Sequence, residues 1–365
     1  MITLVTGGAG FIGSHVVDAL IQANHDVWVV DDLSRGKREQ VHPQAQFVRM
    51  DLHSPDLPAL FAEVRFDCVI HHAAQIDVRH SVADPAHDAQ INILGTLYLL
   101  EAMRTHGIPS IIFASTGGAI YGTQRHYPAT EQHATAPLSP YGVAKLSVEH
   151  YLECYRQLHG LSYVILRYAN VYGPRQDPEG EAGVVAIFSQ RVLRQQRLII
   201  YGDGAQTRDY VYVGDVARAN VLALQYLANG HSLLNNSTTQ KLNNSPTPSS
   251  LNNSITQKLN NFHQLNNIFN IGTGIETSVN ALASMFLEAA DTDCPIVQQP
   301  ARPDEQLRSV IDPTLAQQVL RWEPAVSLPD GLLTTLAWLR TQEAVSPNPK
   351  SSNRQGAKNA KIGIA

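Results

Sequence analysis

Cysteine is scarce in this chain: three in 365 residues (Cys68, Cys154 and Cys294), far apart and with no Cys-x-x-Cys pair. That argues against a disulfide framework and against a zinc site. No apolar run approaches the length of about 18 residues that a membrane-spanning helix needs. Basic residues form no block or stripe, and 27 Lys and Arg against 32 Asp and Glu leave a net charge of −5, so no nucleic-acid partner is expected. The first residues carry neither a basic n-region nor a small-residue cleavage site. A cytoplasmic, reducing setting is the expectation. What is present, 44% hydrophobic and 16% charged, is ordinary globular composition, long enough for one large domain or two smaller ones.

The first half alternates short apolar runs with helical patterns. MITLVTG, DVWVVDD, AQFVRMDL, FDCVIHHAA, SIIFAS and LSYVILRYAN predict strands. FIGSHVVDALIQAN, INILGTLYLLEAMRTHG and SPYGVAKLSVEHYLECYRQLHG predict helices. The strands are nearly continuous in Val, Ile and Leu, the mark of parallel strands buried on both faces. Strand–helix repetition of this kind predicts an α/β fold, a doubly wound parallel (Rossmann) sheet over residues 1–170. Pieces at about 209–230 and 268–273 are expected to return to it. Residues 171–208 and 274–340, richer in Gly, Pro and charge, predict a smaller, irregular substrate lobe.

Between about 231 and 267 the text is mostly Asn, Ser, Thr, Gln and Leu, and it repeats: LNNSTTQKLNN recurs as LNNSITQKLNN. Such a segment buries too little apolar surface to offset the entropy of ordering it. A disordered insertion at a loop tip is expected there, and a disordered tail over 346–365.

The opening TGGAGFIG sets Gly7, Gly8, Gly10 and Gly13 between the first strand and the first helix. Gly7 or Gly8 serves the tight turn, Gly10 the approach of a pyrophosphate, and Gly13 the packing of helix on strand. The phosphates then meet the free N–H groups of a helix N-terminus. Asp31 and Asp32 end the next strand about 20 residues on, where a carboxylate grips ribose hydroxyls and repels a 2′-phosphate. NAD is therefore expected rather than NADP, although Arg35, Lys37 and Arg38 follow closely. Asp51 is placed either to reach the adenine or to cap a helix. His71 and His72 have no partners at ligand spacing, so core histidines are expected and no metal. Ala73 and Ala74 are small enough for a cofactor to pass.

Tyr141 and Lys145 in SPYGVAK lie four apart, on one face of a helix. A lysine one turn away and a cationic nicotinamide would both lower the tyrosine pKa from about 10. A Ser/Thr hydroxyl from IIFASTGGAIYG would hold the substrate oxygen while the tyrosine exchanges its proton. No Gly-x-Ser-x-Gly is present, which removes a nucleophile elbow.

TGGAGFIG, the Asp31 strand end, HHAAQIDV, STGGAIYG, SPYGVAK, LRYANVYGPRQ and GDGAQTRDYVYVGDVA together resemble the extended short-chain dehydrogenase/reductase family. Within it they most resemble nucleotide-sugar epimerases of the UDP-glucose 4-epimerase type, over roughly 1–230 and 268–340. The resemblance implies Thr116 as hydroxyl partner, Tyr141 as base and Lys145 as the residue that binds the nicotinamide ribose. It implies further cofactor contacts from Gly7, Gly10, Phe11, Ile12 and Gly13, from Asp31, Asp32, Asp51 and Leu52, and from Ala73, Ala74, Gln75 and Asn92. Ser115 and Tyr168 would line the nicotinamide side, beside Tyr141 and Lys145. Substrate contacts would come from Thr116, Tyr141 and Asn170, with Arg208 and Arg302 clamping the pyrophosphate of a nucleotide-diphosphate sugar.

The implied reaction is NAD-dependent inversion at C4 through a 4-keto sugar, in a homodimer joined through helices at about 89–106 and 140–159. A 4,6-dehydratase would carry Asp-Glu directly after the loop threonine, where this chain has Gly117 and Gly118. A decarboxylase or a uronic-acid epimerase stays open. A non-catalytic NAD-binding module is opposed by the presence of Thr116, Tyr141 and Lys145 together.

Overall fold

The apolar runs become strands in the computed structural model, which describes residues 1–178, 183–243, 267–302 and 306–345, side chains at 231–243 and 343–345 excepted. In chain order the first half is β1 (Ile2–Thr6), α1 (Phe11–Gln22), β2 (Asp26–Asp31), β3 (Gln46–Arg49), α2 (Leu57–Glu63) and β4 (Cys68–His71). There follow α3 (Val78–Ala83), α4 (Pro85–Ala89), a π turn at Gln90–Leu94, α5 (Gly95–His106), β5 (Ser110–Thr116), α6 (Gly117–Ile120), α7 (Pro140–His159) and β6 (Ser162–Tyr168). The rest begins with β7 (Asn170–Tyr172), α8 (Val184–Leu193), β8 (Leu198–Tyr201), β9 (Thr207–Arg208), β10 (Tyr210–Tyr212), α9 (Val213–Asn243) and β11 (Ile268–Ile271).

Seven strands form one sheet in the order β11-β6-β5-β4-β1-β2-β3, every neighbouring pair parallel. Burial on both faces explains the unbroken apolar runs: adjacent Leu4 and Val5 of β1 are fully buried in opposite clusters. One cluster joins the sheet to α1 and α9 through Val16, Leu20, Ala219 and Leu224. The other joins it to α2, α5 and α7 through Leu60, Leu99, Met103 and Leu152. Thr6, Asp31, His71 and Thr116 all end their strands at one edge of the sheet, where ligands of such folds bind.

The helix ends follow local chemistry. Ser139 caps α7 by accepting from the Gly142 N–H at 3.2 Å, Pro140 supplies the fixed φ of the first turn, and Gly160 ends the helix at φ 72°. The predicted helix over INILGTLYLL enters α5 through the π turn, which contains Asn92. The smaller lobe is less irregular than its composition suggests. It owns a core of Phe188, Val192, Leu282, Phe286 and Leu336. Helical backbone in α9 runs on to Asn243, inside the segment expected to be disordered from 231. Once a buried face has set the first turns, each added residue gains a hydrogen bond without a new nucleation cost. The remainder of that expected insertion, 244–266, and the tail 346–365 lie outside the described residues.

Candidate active site

The glycine turn is built by close backbone approach. Gly7 takes φ 70°, and its carbonyl accepts the Gly10 N–H at 3.1 Å. A Cβ on Gly13 would stand 2.1 Å from the Gly7 oxygen, whereas one on Gly10 would meet only that oxygen, at 3.3 Å. Gly13 is thus needed by the fold, and Gly10 leaves open a cradle in front of α1. No side chain caps α1, so the first-turn N–H groups about Phe11 and Ile12 remain available to an anion. The cradle fits a dinucleotide pyrophosphate.

Asp31 is 8% exposed and does a second job: its oxygens accept the Ala9 N–H at 3.0 Å and the Leu33 N–H at 2.9 Å. Burial raises its pKa, opposed by those two N–H groups. The carboxylate therefore ties the end of β2 to the glycine turn. Asp32 turns outward and accepts from Ser34 N–H and Oγ at 2.8 and 2.6 Å. Asp51 caps no helix, because the cap position of α2 is Asp56. Its Oδ1 receives the His53 N–H and lies 2.8 Å from the His53 ring nitrogen. Leu52 is a core residue beside Leu57 and Leu99.

At the end of β4, His71 is 1% exposed between Thr6 Oγ1 at 2.7 Å and Thr96 Oγ1 at 2.9 Å. His72 stacks on Tyr168 and reaches its hydroxyl at 3.2 Å. Among the described residues no group of His, Cys, Asp and Glu could hold a metal ion. Burial, then the charge of Lys145, holds His71 well below its ordinary range and His72 at about 3. Both pKa values are depressed on folding, so both histidines take up protons on unfolding. Stability should therefore fall as pH drops through about 6.5, at up to about 1.4 kcal/mol per pH unit for each ring. His72→Gln should flatten the slope of melting temperature against pH between about 6.5 and about 4.5. An unchanged slope would show that His72 is not held neutral.

Beyond His72, the Ala73 N–H donates to Thr6 Oγ1 at 3.3 Å, and Ala74 follows half-buried. Asn92 is 4% exposed and fastens this loop by accepting the Gln75 N–H at 2.9 Å and donating to the Gln75 carbonyl at 2.9 Å. The π turn that carries Asn92 is a common device at functional positions.

Lys145 is 4% exposed and donates to the Ala114 carbonyl at 2.9 Å. Burial pulls its pKa down to about 8, against the raising effects of Asp88 and Glu149. The Tyr141 N–H donates to Ser81 Oγ at 3.2 Å, and Gly142 packs under the Ala119 carbonyl. Contacts of α7 with Ala114 and Ala119 therefore bracket Thr116. A Cβ on Gly118 would stand 3.8 Å from Thr116 Oγ1 and 3.5 Å from Asn170 Oδ1, so these two side chains share one hollow that Gly118 leaves unfilled. On Gly117 a Cβ would press on Ile311 at 2.9 Å.

Strand alternation turns Ser115 and Thr116 to opposite sides of β5, and the Ser115 hydroxyl donates to Glu149 Oε1 of α7 at 2.6 Å. The Tyr168 hydroxyl likewise points inward, to His72 and to Asn220 Nδ2 at 2.9 Å. Asn170 donates its N–H to the Asp209 carbonyl at 2.9 Å, which sets it next to Arg208. Arg302 stands apart from these, exposed and with its guanidinium 3.8 Å over the Tyr201 ring.

Three buried carboxylates escape a motif-by-motif reading. Asp209 accepts N–H groups of Thr273 and Gly274 and so pins the loop after β11 behind Arg208. Glu149 and Arg167 form a buried ion pair behind β5. Asp88 sits beneath Asn92, and only its i, i+4 spacing to that residue hints at the contact.

The family model for the NAD-dependent epimerase/dehydratase family matches residues 3–235. A putative UDP-glucose 4-epimerase of Methanocaldococcus jannaschii is 42% identical over 92% of this chain and 98% of its own. The crystal structure of a Thermotoga maritima UDP-glucose 4-epimerase with UDP-glucose is 44% identical, with TM-score 0.81, covering 94% of this chain and 99% of that one. A Thermus thermophilus UDP-glucose 4-epimerase complex with NAD is 41% identical, with TM-score 0.78, covering 93% and 99%.

Proposed function

The chain belongs to the NAD-dependent epimerase/dehydratase family, and we propose that it inverts C4 of a UDP-hexose, interconverting UDP-glucose and UDP-galactose. The observation that carries this reading is the hollow bounded by Thr116 and Asn170 and left open by Gly118, beside the Tyr141–Lys145 helix face. A dehydratase would need its acid and base on the positions of Gly117 and Gly118. Gly117 is packed against Ile311, and Gly118 offers no group at all.

NAD bound in the Gly10 cradle supplies the chemistry of a reversible hydride acceptor. Residues of this chain do the rest. Thr116 Oγ1 holds the C4 oxygen, and Tyr141 takes and returns its proton. The Lys145 ammonium favours the phenolate form of that tyrosine. Asn170, Arg208 and Arg302 hold the diphosphate while the 4-keto sugar turns its other face, with Arg302 leaving Tyr201 to do so. Gly7, Gly10, Gly13 and Asp31 hold the cofactor, with Asn92 and Gln75 shaping the loop it crosses.

The purified chain should release NAD on denaturation and convert UDP-galactose to UDP-glucose without added cofactor. No conversion of either sugar by protein that carries NAD would sink the 4-epimerase reading.

A homodimer is part of the proposal. Leu94 and Tyr98 leading into and along α5, and Val143, Tyr151 and Leu158 on α7, are 38–69% exposed. Tyr98→Glu combined with Val143→Glu should halve the mass measured by light scattering; an unchanged mass would move the interface elsewhere. A cytoplasmic setting fits the three unpaired cysteines.

A further inference from the structure

Lys145 carries a positive charge on a buried side chain, and the structure shows what balances it. The groups facing its ammonium come from three elements. His71 and His72 at the end of β4 are held neutral by burial. Tyr141 and Glu149 lie on its own helix, the Tyr141 ring 5.9 Å from Nζ, and Asp88 comes from α4, which packs on α7.

The two carboxylates are not equivalent. Glu149 already has a cation: Arg167 donates Nε to one oxygen at 3.1 Å and Nη2 to the other at 2.5 Å, and Ser115 adds a third bond. Asp88 has none. It is 1% exposed, and its Oδ1 accepts from two neutral amides, Gln75 Nε2 at 2.9 Å and Asn92 Nδ2 at 3.0 Å. Its Oδ2 is buried and has no hydrogen-bond partner among the described residues. His80, the other group whose charge Asp88 feels, is on the solvent side. A buried carboxylate with only neutral donors is unstable as an anion unless a cation stands near.

We propose that Asp88 is the counter-charge of Lys145: a carboxylate outside the reacting group that holds this lysine as an ammonium and thereby keeps Tyr141 usable as a base into mildly alkaline pH. The inference rests on the Tyr141–Lys145 reading of the site. With Glu149 paired to Arg167, the Asp88 carboxylate is the charge left to oppose the burial of Lys145. An amide at position 88 preserves the shape and removes the charge. The ammonium should then lose its proton about one pH unit lower or more.

The test is Asp88→Asn in the full-length protein with its NAD, following kcat for UDP-galactose from about pH 6 to about pH 10. The alkaline limb should move down by about one unit or more, with bound NAD unchanged. A uniform loss of kcat with the limb in place overturns the proposal and leaves Asp88 a hydrogen-bonding strut. A melting cycle with Asp88→Asn, Lys145→Met and the double variant reads the same pair without turnover. Lys145→Met alone strands the carboxylate and should lower the melting temperature. Adding Asp88→Asn should restore at least half of that loss, whereas losses that simply add overturn the pair. Coupled melting together with an unmoved limb would keep the ion pair and overturn its effect on Tyr141.

Discussion

A Tyr141→Phe protein should retain its NAD and its melting temperature while turnover of UDP-galactose falls by a factor of about 10²–10⁴. The substitution removes one oxygen and leaves the backbone and ring contacts of the residue in place. The backbone N–H still donates to Ser81, the ring still stands 5.9 Å from the Lys145 ammonium, and Lys145 still donates to Ala114. What disappears is the group proposed to accept the proton from the C4 hydroxyl, and Thr116 cannot replace it, because a threonine hydroxyl at neutral pH is a hydrogen-bonding partner and not a base. Retained turnover would remove Tyr141 from the base position. Equal loss of NAD and of turnover would assign it to cofactor binding instead.

Gly13→Ala should abolish NAD binding and cost more than about 1–3 kcal/mol of stability, the usual range for overpacking. The added methyl would meet the Gly7 oxygen at 2.1 Å, the Gly7 carbonyl carbon at 2.9 Å and the Gly8 Cα at 3.0 Å. All three are backbone atoms of the turn, so relief requires α1 to move off the strand. Gly10→Ala isolates the other half of the argument. Its methyl would meet only one atom, at 3.3 Å, so the fold should melt nearly as before while the cradle in front of α1 is filled. Equal melting temperatures for the two variants would mean that the turn yields more than its geometry allows.

The buried ion pair behind β5 shows where sequence reading reaches its limit. Ser115 and Thr116 are neighbours in one strand, and period-2 alternation says that they face opposite ways. It does not say which way is the site. That depends on Glu149, which arrives from α7, pairs with Arg167 of β6 and takes the Ser115 hydroxyl. Asp31 was legible by its distance from the glycines, and its bonds to Ala9 and Leu33 were not, because they cross a turn whose path depends on packing.

Sequence alone determined the order of the six strands of the first half with three of its helices, the glycine turn at the first crossing, and the Tyr141–Lys145 face of α7. These follow from local rules: apolar runs bury on both faces, glycine goes where a Cβ cannot, and residues four apart share a helix face. Tertiary structure decided which hydroxyl turns toward the hollow, which carboxylate stands by Lys145 already neutralised, and that Asn170 joins Thr116 across Gly118. Those depend on side chains brought together from elements tens of residues apart, and for a buried charge in a low-dielectric setting the partner decides what it can do.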